Sequence, residues 1–179
     1  MVETVSKKTL LQGSFWSFTE EGVRLPDGTV REYHLLNHPG GVAVLAINGE
    51  GKIALEKQYR YAMGKECIEI PAGKRDKGPE SPEAGARREL QEETGCTANT
   101  MLPLGEVYPS PGMVTEKLFL FLATGLTQGE RHLDDDEFIQ VMWKTPAEVQ
   151  SMILDGTVKD AKTICAFFLA KAKGFIALS

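Results

Sequence analysis

Short apolar runs separated by turn-forming residues recur along the chain, and the period of each run predicts a mixture of strands and helices. Residues 9–18 and 30–36 are β-like and flank the turn signal Pro26-Asp27-Gly28, which predicts an N-terminal antiparallel unit. Residues 42–47 form an unbroken apolar run, the mark of a strand covered on both faces. With turn residues at 48–51 and a second run at 53–58, it reads as one arm of a hairpin. Residues 67–70 read as a short strand ended by Pro71-Ala72-Gly73. Further strands are expected at 118–123 and 138–143, and helices at 146–154 and 160–171, the second with Ile164, Phe167 and Phe168 on one face.

The best-marked helix runs over 82–94. Ser81 can cap its N-terminus, Pro82 suits the first helical position, and Gly95 suits the residue just past the end. Gly85 inside it costs roughly 1 kcal/mol relative to Ala and so points to another backbone packed closely there. No repeat, low-complexity tract or linker interrupts the chain. The mixture predicts an α+β fold, with helices covering a largely antiparallel or mixed sheet.

At 179 residues the chain can bury one sizeable core and add a small extra sheet, and its 42% hydrophobic and 25% charged content is that of an ordinary globular protein. No apolar run approaches the roughly 18 residues of a membrane span, and residues 1–11 lack the apolar core of a signal peptide, so the expected location is cytoplasmic, away from membranes. Cys67, Cys96 and Cys165 are far apart with no CxxC pair, which suggests buried thiols rather than disulfides or a thiolate zinc site. The net charge is −5, the opposite bias to that of a nucleic-acid binder. The acids gather at 89–93 and 134–137, and each cluster is either a solvated surface or a metal site, because like charges repel unless a cation holds them.

Glu89, Glu92 and Glu93 stand at i, i+3 and i+4 of the predicted helix, which places them on one face. Carboxylate oxygens suit Mg²⁺, a cation that keeps several waters and often completes its shell with substrate phosphates. The acids also lie near the helix C-terminus, where the macrodipole is already negative, so a cationic neighbour is expected.

These acids belong to a longer pattern, Gly73, Glu80 and then Arg88-Glu89-Leu90-Gln91-Glu92-Glu93-Thr94-Gly95-Cys96. It resembles the Nudix box, Gly-x5-Glu-x7-Arg-Glu-U-x-Glu-Glu-x-Gly-U with U apolar. Gly73 and Glu80 are separated by six residues rather than five, and the extra one falls in the loop around Lys77-Gly78-Pro79, before the helix begins. The resemblance implies a Nudix fold, a mixed sheet sandwiched between helices, with a catalytic domain at 39–179 and an N-terminal dimer-forming unit at 1–38. It implies Glu89 and Glu93 as principal metal ligands, Glu92 as a catalytic residue sharing a further ion, and the Ala72 carbonyl as another ligand. The expected cofactor is Mg²⁺, with Mn²⁺ as substitute. Arg88 and Glu80 would hold loop and helix in register.

Gln58-Tyr59-Arg60, Glu69-Ile70-Pro71-Ala72-Gly73 and Ser110-Pro111-Gly112 are similar to the ADP-ribose or nucleoside diphosphate sugar pyrophosphatase subgroup. Pro111 lies 16 residues after Gly95, the spacing of that subgroup's marker proline. By this resemblance Arg60 contacts the substrate diphosphate, Glu69 and Glu116 are substrate-side or metal-side acids, Asp135 is the general base, and Glu137 is a nearby acid that can touch a metal ion. Phe15, Trp16 and Tyr33 can stack on a base or lie buried or in a dimer interface. The implied reaction is Mg²⁺-dependent hydrolysis of a nucleoside diphosphate sugar, such as ADP-ribose, to a nucleoside monophosphate and a sugar phosphate, by a homodimer. The alternative enzyme is a nucleoside triphosphate or dinucleoside polyphosphate hydrolase. A non-catalytic nucleotide-binding module would carry a damaged set of glutamates, whereas all three are present.

Overall fold

The computed structural model describes residues 1–133 and 138–177. These form two compact units, Met1–Gly40 with Tyr108–Lys117, and Gly41–Val107 with Leu118–Ser179.

The first unit is an antiparallel sheet of β1 (Glu3–Gln12), β2 (Ser17–Arg24) and β3 (Val30–Asn37). The turn between β2 and β3 falls where Pro26-Asp27-Gly28 predicts it: Asp27 Oδ1 accepts from the Thr29 N–H at 3.0 Å, and Gly28 takes φ 85°. The continuous strand expected over 9–18 is broken instead by a tight turn in which the Gly13 N–H donates to the Trp16 carbonyl at 2.9 Å. A Cβ on Gly13 would lie 2.4 Å from the Trp16 ring, so the glycine is what lets the indole fold back. Leu36 of β3 bonds through its N–H to the Met113 carbonyl at 2.8 Å, which ties in the segment Tyr108–Lys117.

The second unit carries two sheets, one ordered β7-β4-β9-β8 and one ordered β10-β5-β6. Its elements are β4 (Gly41–Ala46), β5 (Ile53–Arg60), a 3-10 turn at Tyr61–Met63, β6 (Lys65–Glu69), β7 (Ala72–Lys74), α1 (Pro82–Thr94), β8 (Cys96–Val107), β9 (Leu118–Gln128), β10 (Ile139–Lys144), α2 (Pro146–Leu154) and α3 (Ala161–Ala172). β4 is buried on both faces and runs parallel to β9, with β7 antiparallel on its other side and β8 antiparallel to β9. Val42, Val44 and Ala46 pack with Ala86 and Leu90 of α1 and with Phe121, while Ala43 and Leu45 pack with Val149 of α2 and Phe167 of α3. The period-2 alternation of one strand therefore sandwiches the mixed sheet between α1 and the two C-terminal helices. Burying each such Val, Leu or Phe contributes about 1.5–3 kcal/mol before entropy is counted.

Several local expectations change. β4 and β5 are not a hairpin: they belong to different sheets and meet in one bridge, Ile47 with Ile53. The Pro71-Ala72-Gly73 break holds a strand of its own, β7, paired with β4. Phe167 is fully buried but Phe168 is 40% exposed, since adjacent helical residues point about 100° apart. What packs against Gly85 is the Glu80 carboxylate, not a backbone: an added Cβ would lie 3.0 Å from Glu80 Oε1. β8 has no apolar alternation to mark it, and as an edge strand it tolerates Pro103 and a register shift before Gly105. No helix among the described residues is long and apolar enough to cross a membrane.

Candidate active site

The predicted capping chemistry builds α1. Ser81 Oγ accepts from the Ala84 N–H at 3.1 Å, and Gly95 turns left-handed with φ 75° while its N–H bonds the Gln91 carbonyl. The helix buries Ala86 and Leu90 against the sheet and turns Glu89, Glu92 and Glu93 toward β7. Glu93 is 3% exposed, and its Oε2 accepts the Ala72 N–H at 2.7 Å. The Glu89 carboxylate lies so close to Gly73 that a Cβ there would come within 2.0 Å of it. Ala72, Gly73, Glu89, Glu92 and Glu93 line one cleft of about 380 Å³ with Arg60 and Lys77.

The cation expected near these acids is Arg88. Its Nη1 donates to Glu89 Oε1 and to Glu92 Oε2, each at 2.7 Å, and its Nη2 donates to Glu80 Oε1 at 2.8 Å. Burial works against its charge, but the hydrogen bond to Glu80 and the field of Glu89 hold its pKa above the ordinary value. Glu80 is correspondingly held below the usual carboxylate range, chiefly by its bond to Arg88. Lys77, in the loop that carries the extra residue, reaches Glu92 at 3.7 Å. Glu89 goes the other way: burial pushes its carboxyl up despite Arg88. A buried carboxylate under that strain, beside two more at helical spacing, is an all-oxygen donor set that fits a hard divalent cation.

Arg60 ends β5 and forms a fork to Glu69 at the end of β6, with Nε to Oε1 at 2.7 Å and Nη2 to Oε2 at 2.6 Å. The bond to Glu69 raises the Arg60 pKa. Glu69 is pushed up by burial, yet its bonds to Arg60 and the charge of Lys162 bring its carboxyl down to about 2. Lys162, in the first turn of α3, donates to Glu69 and to Asp160 Oδ1. Arg60, Glu69, Asp160 and Lys162 also line a second cleft of about 550 Å³. Sequence reasoning did not single out Lys162; the one signal was a cation in a helix's first turn, against the macrodipole.

Of the remaining site candidates, Pro111 and Glu116 lie in the first unit, where Glu116 approaches His38 Nδ1 at 3.4 Å and Pro111 sits in a turn closed by the Val114 N–H to the Ser110 carbonyl. Phe15 meets His38 edge-on, Trp16 folds over Gly13, and Tyr33 is exposed. Asp135 and Glu137 lie outside the described residues.

Residues 37–167, which include the whole glutamate cleft, match the model of the NUDIX domain. The chain belongs to the Nudix family. It is 41% identical over 92% of its length to an ADP-ribose pyrophosphatase of Bacillus subtilis, covering 89% of that protein. It is 37% identical, over the same shares, to a protein of Bacillus methanolicus named methanol dehydrogenase activator. The crystal structure of an ADP compounds hydrolase superposes with a TM-score of 0.83 at 21% identity, covering 97% of this chain and 95% of that one, which establishes the fold. This is therefore a Nudix pyrophosphohydrolase with the α+β Nudix fold, of a family that generally uses a divalent metal.

Proposed function

We propose that this Nudix enzyme hydrolyses the pyrophosphate bond of a nucleoside diphosphate sugar, ADP-ribose foremost, to a nucleoside monophosphate and a sugar phosphate. The observation that carries the reading is the cleft that Glu89, Glu92 and Glu93 of α1 line together with Ala72-Gly73 of β7 and with Arg60. The sugar-linked substrate is supported by the ADP-ribose pyrophosphatase relative and by the Pro111 spacing. The alternative, a nucleoside triphosphate or dinucleoside polyphosphate, has no comparable support.

Glu89, Glu92, Glu93 and the Ala72 carbonyl are the proposed holders of Mg²⁺, which Mn²⁺ can replace. When bound, such ions neutralise the diphosphate, polarise a phosphorus and lower the pKa of a bound water. The chain's own part is mostly positioning. Gly73 leaves room for the Glu89 carboxylate, and Arg88 fixes Glu89 and Glu92 on the helix face. The Arg60 guanidinium offers the diphosphate a planar fork. Glu69, Pro111 and Glu116 are the further proposed substrate-side residues. Asp135 is the proposed general base and Glu137 its acidic neighbour, both from the family pattern. A homodimer is proposed through the first unit, supported by β1, which exposes all ten of its residues, Val5, Leu10 and Leu11 among them. The cytoplasm is the proposed location.

Incubation with Mg²⁺ and a panel of nucleoside diphosphate sugars, nucleoside triphosphates and dinucleoside polyphosphates tests the reading. The expected result is preferred turnover of the sugar-linked compounds, with a nucleoside monophosphate among the products. Turnover of the triphosphates alone would overturn it.

A further inference from the structure

We propose that Lys162 is a positioning residue for the substrate diphosphate, holding Glu69 so that Glu69 holds Arg60 on the wall of the glutamate cleft. This rests on the reading of Arg60 as a diphosphate contact. Lys162 is an expensive residue where it stands. Its ammonium lies in the first turn of α3, at the positive end of the helix, with its side chain only 11% exposed. A compact, strongly hydrated charge takes such a place only with close partners. The partners are Asp160 Oδ1 and Glu69 Oε2, and Oε2 is the same atom that accepts from Arg60 Nη2. The ammonium therefore fixes the oxygen on which the guanidinium rests.

The support behind Lys162 is rigid. Asp160 Oδ2 caps α3 by accepting from the Thr163 N–H at 2.9 Å and from Thr163 Oγ1 at 2.6 Å, and Thr163 Oγ1 accepts the Ile70 N–H at 2.9 Å. The first turn of α3 is thus bonded to the residue that follows Glu69, two before Ala72 of the cleft. At the other end, Arg60 is 41% exposed, and Glu69 engages only its Nε and Nη2. An arginine anchored on two of its donors keeps the Nη1 side for a ligand and loses less side-chain freedom when it binds one. Apolar residues of similar volume stabilise such a site as well as ions do, so stability alone does not account for the chain of charges from Arg60 to Asp160.

A double-mutant cycle on the full chain, assayed with ADP-ribose and Mg²⁺, tests this through Arg60→Ala, Lys162→Met and the pair. Lys162→Met is expected to raise KM by about tenfold with kcat little changed. Lys162→Arg should restore most of the affinity, and the pair should have the KM of Arg60→Ala alone. An unchanged KM in Lys162→Met, or a pair whose effects multiply, would overturn the proposal. An unchanged KM in Arg60→Ala would overturn the reading of Arg60 itself and the proposal with it. Thermal melting separates loss of fold, and Lys162→Gln takes the place of Lys162→Met in the cycle if the latter does not fold.

Discussion

The Glu93 carboxylate accepts the backbone N–H of Ala72 at 2.7 Å, a bond that ties α1 to the short strand β7 across the cleft. One Glu93 oxygen is thus occupied in holding the cleft together. The carboxylate is 3% exposed and lines the cleft with Glu89 and Glu92, an oxygen donor set suited to a hard divalent cation.

Glu93→Gln should therefore separate fold from activity. The amide oxygen can still accept from Ala72, so the melting temperature should stay near wild type, while the ligand charge is gone. Altering partners behind a metal ligand costs 10–100-fold, so losing a ligand should lower kcat by more than about a hundredfold. Wild-type turnover in the variant would refute the assignment of the metal site.

Gly73→Ala tests the fit between β7 and α1. The added methyl would come within 2.0 Å of the Glu89 carboxylate, which cannot retreat freely because Arg88 holds Oε1 at 2.7 Å. Displacing a packed group in this way costs about 1–3 kcal/mol. The larger expected effect is on the metal: the Mg²⁺ concentration for half-maximal activity should rise, read from a titration at saturating substrate. An unchanged Mg²⁺ dependence would show that Glu89 is not a ligand.

Much of this cleft was legible in the sequence because its determinants are local. Ser81, Pro82 and Gly95 carry the ends of α1 in their own side chains and backbone freedom, and helical spacing alone gathers Glu89, Glu92 and Glu93. The apolar run of β4 likewise announced its burial. What failed depends on distant partners. Nothing near Ile47 and Ile53 says that the chain changes sheets between them, and β8 is a strand only because β9 pairs with it along an edge. Lys162 meets Glu69 across 93 residues of chain, beyond the reach of any periodicity. Gly85 announced a close approach without saying that Glu80 makes it.

Divalent metal should stabilise the fold. Glu89 is pushed upward by burial and lies beside Glu92, a cost that a cation at the site would relieve. A ligand that binds only the folded state adds about 2.7 kcal/mol at a hundred times its Kd. Mg²⁺ is thus expected to raise the melting temperature of the wild type, by more than it raises that of Glu89→Gln. An equal shift in both would remove Glu89 from the site.

The acid limb of the stability curve should report on Glu69. Its carboxyl lies at about 2 in the folded protein, against 4.5 for the ordinary group, because the bonds from Arg60 and the charge of Lys162 outweigh the burial that pushes it up. A carboxyl lowered by folding contributes stability that is complete above its unfolded pKa. That contribution is lost as pH falls from about 4.5 toward 2, where the folded state also takes up the proton. Its size is on the order of 2 kcal/mol. Glu69→Gln should therefore lower stability at pH 7 and flatten the fall between pH 4.5 and 2, measured by denaturant titration at a series of pH values. An acid limb as steep as that of the wild type would place the titrating carboxylates elsewhere. The same variant loosens Arg60, so its KM should rise at neutral pH, where Glu69 of the wild type is fully ionised.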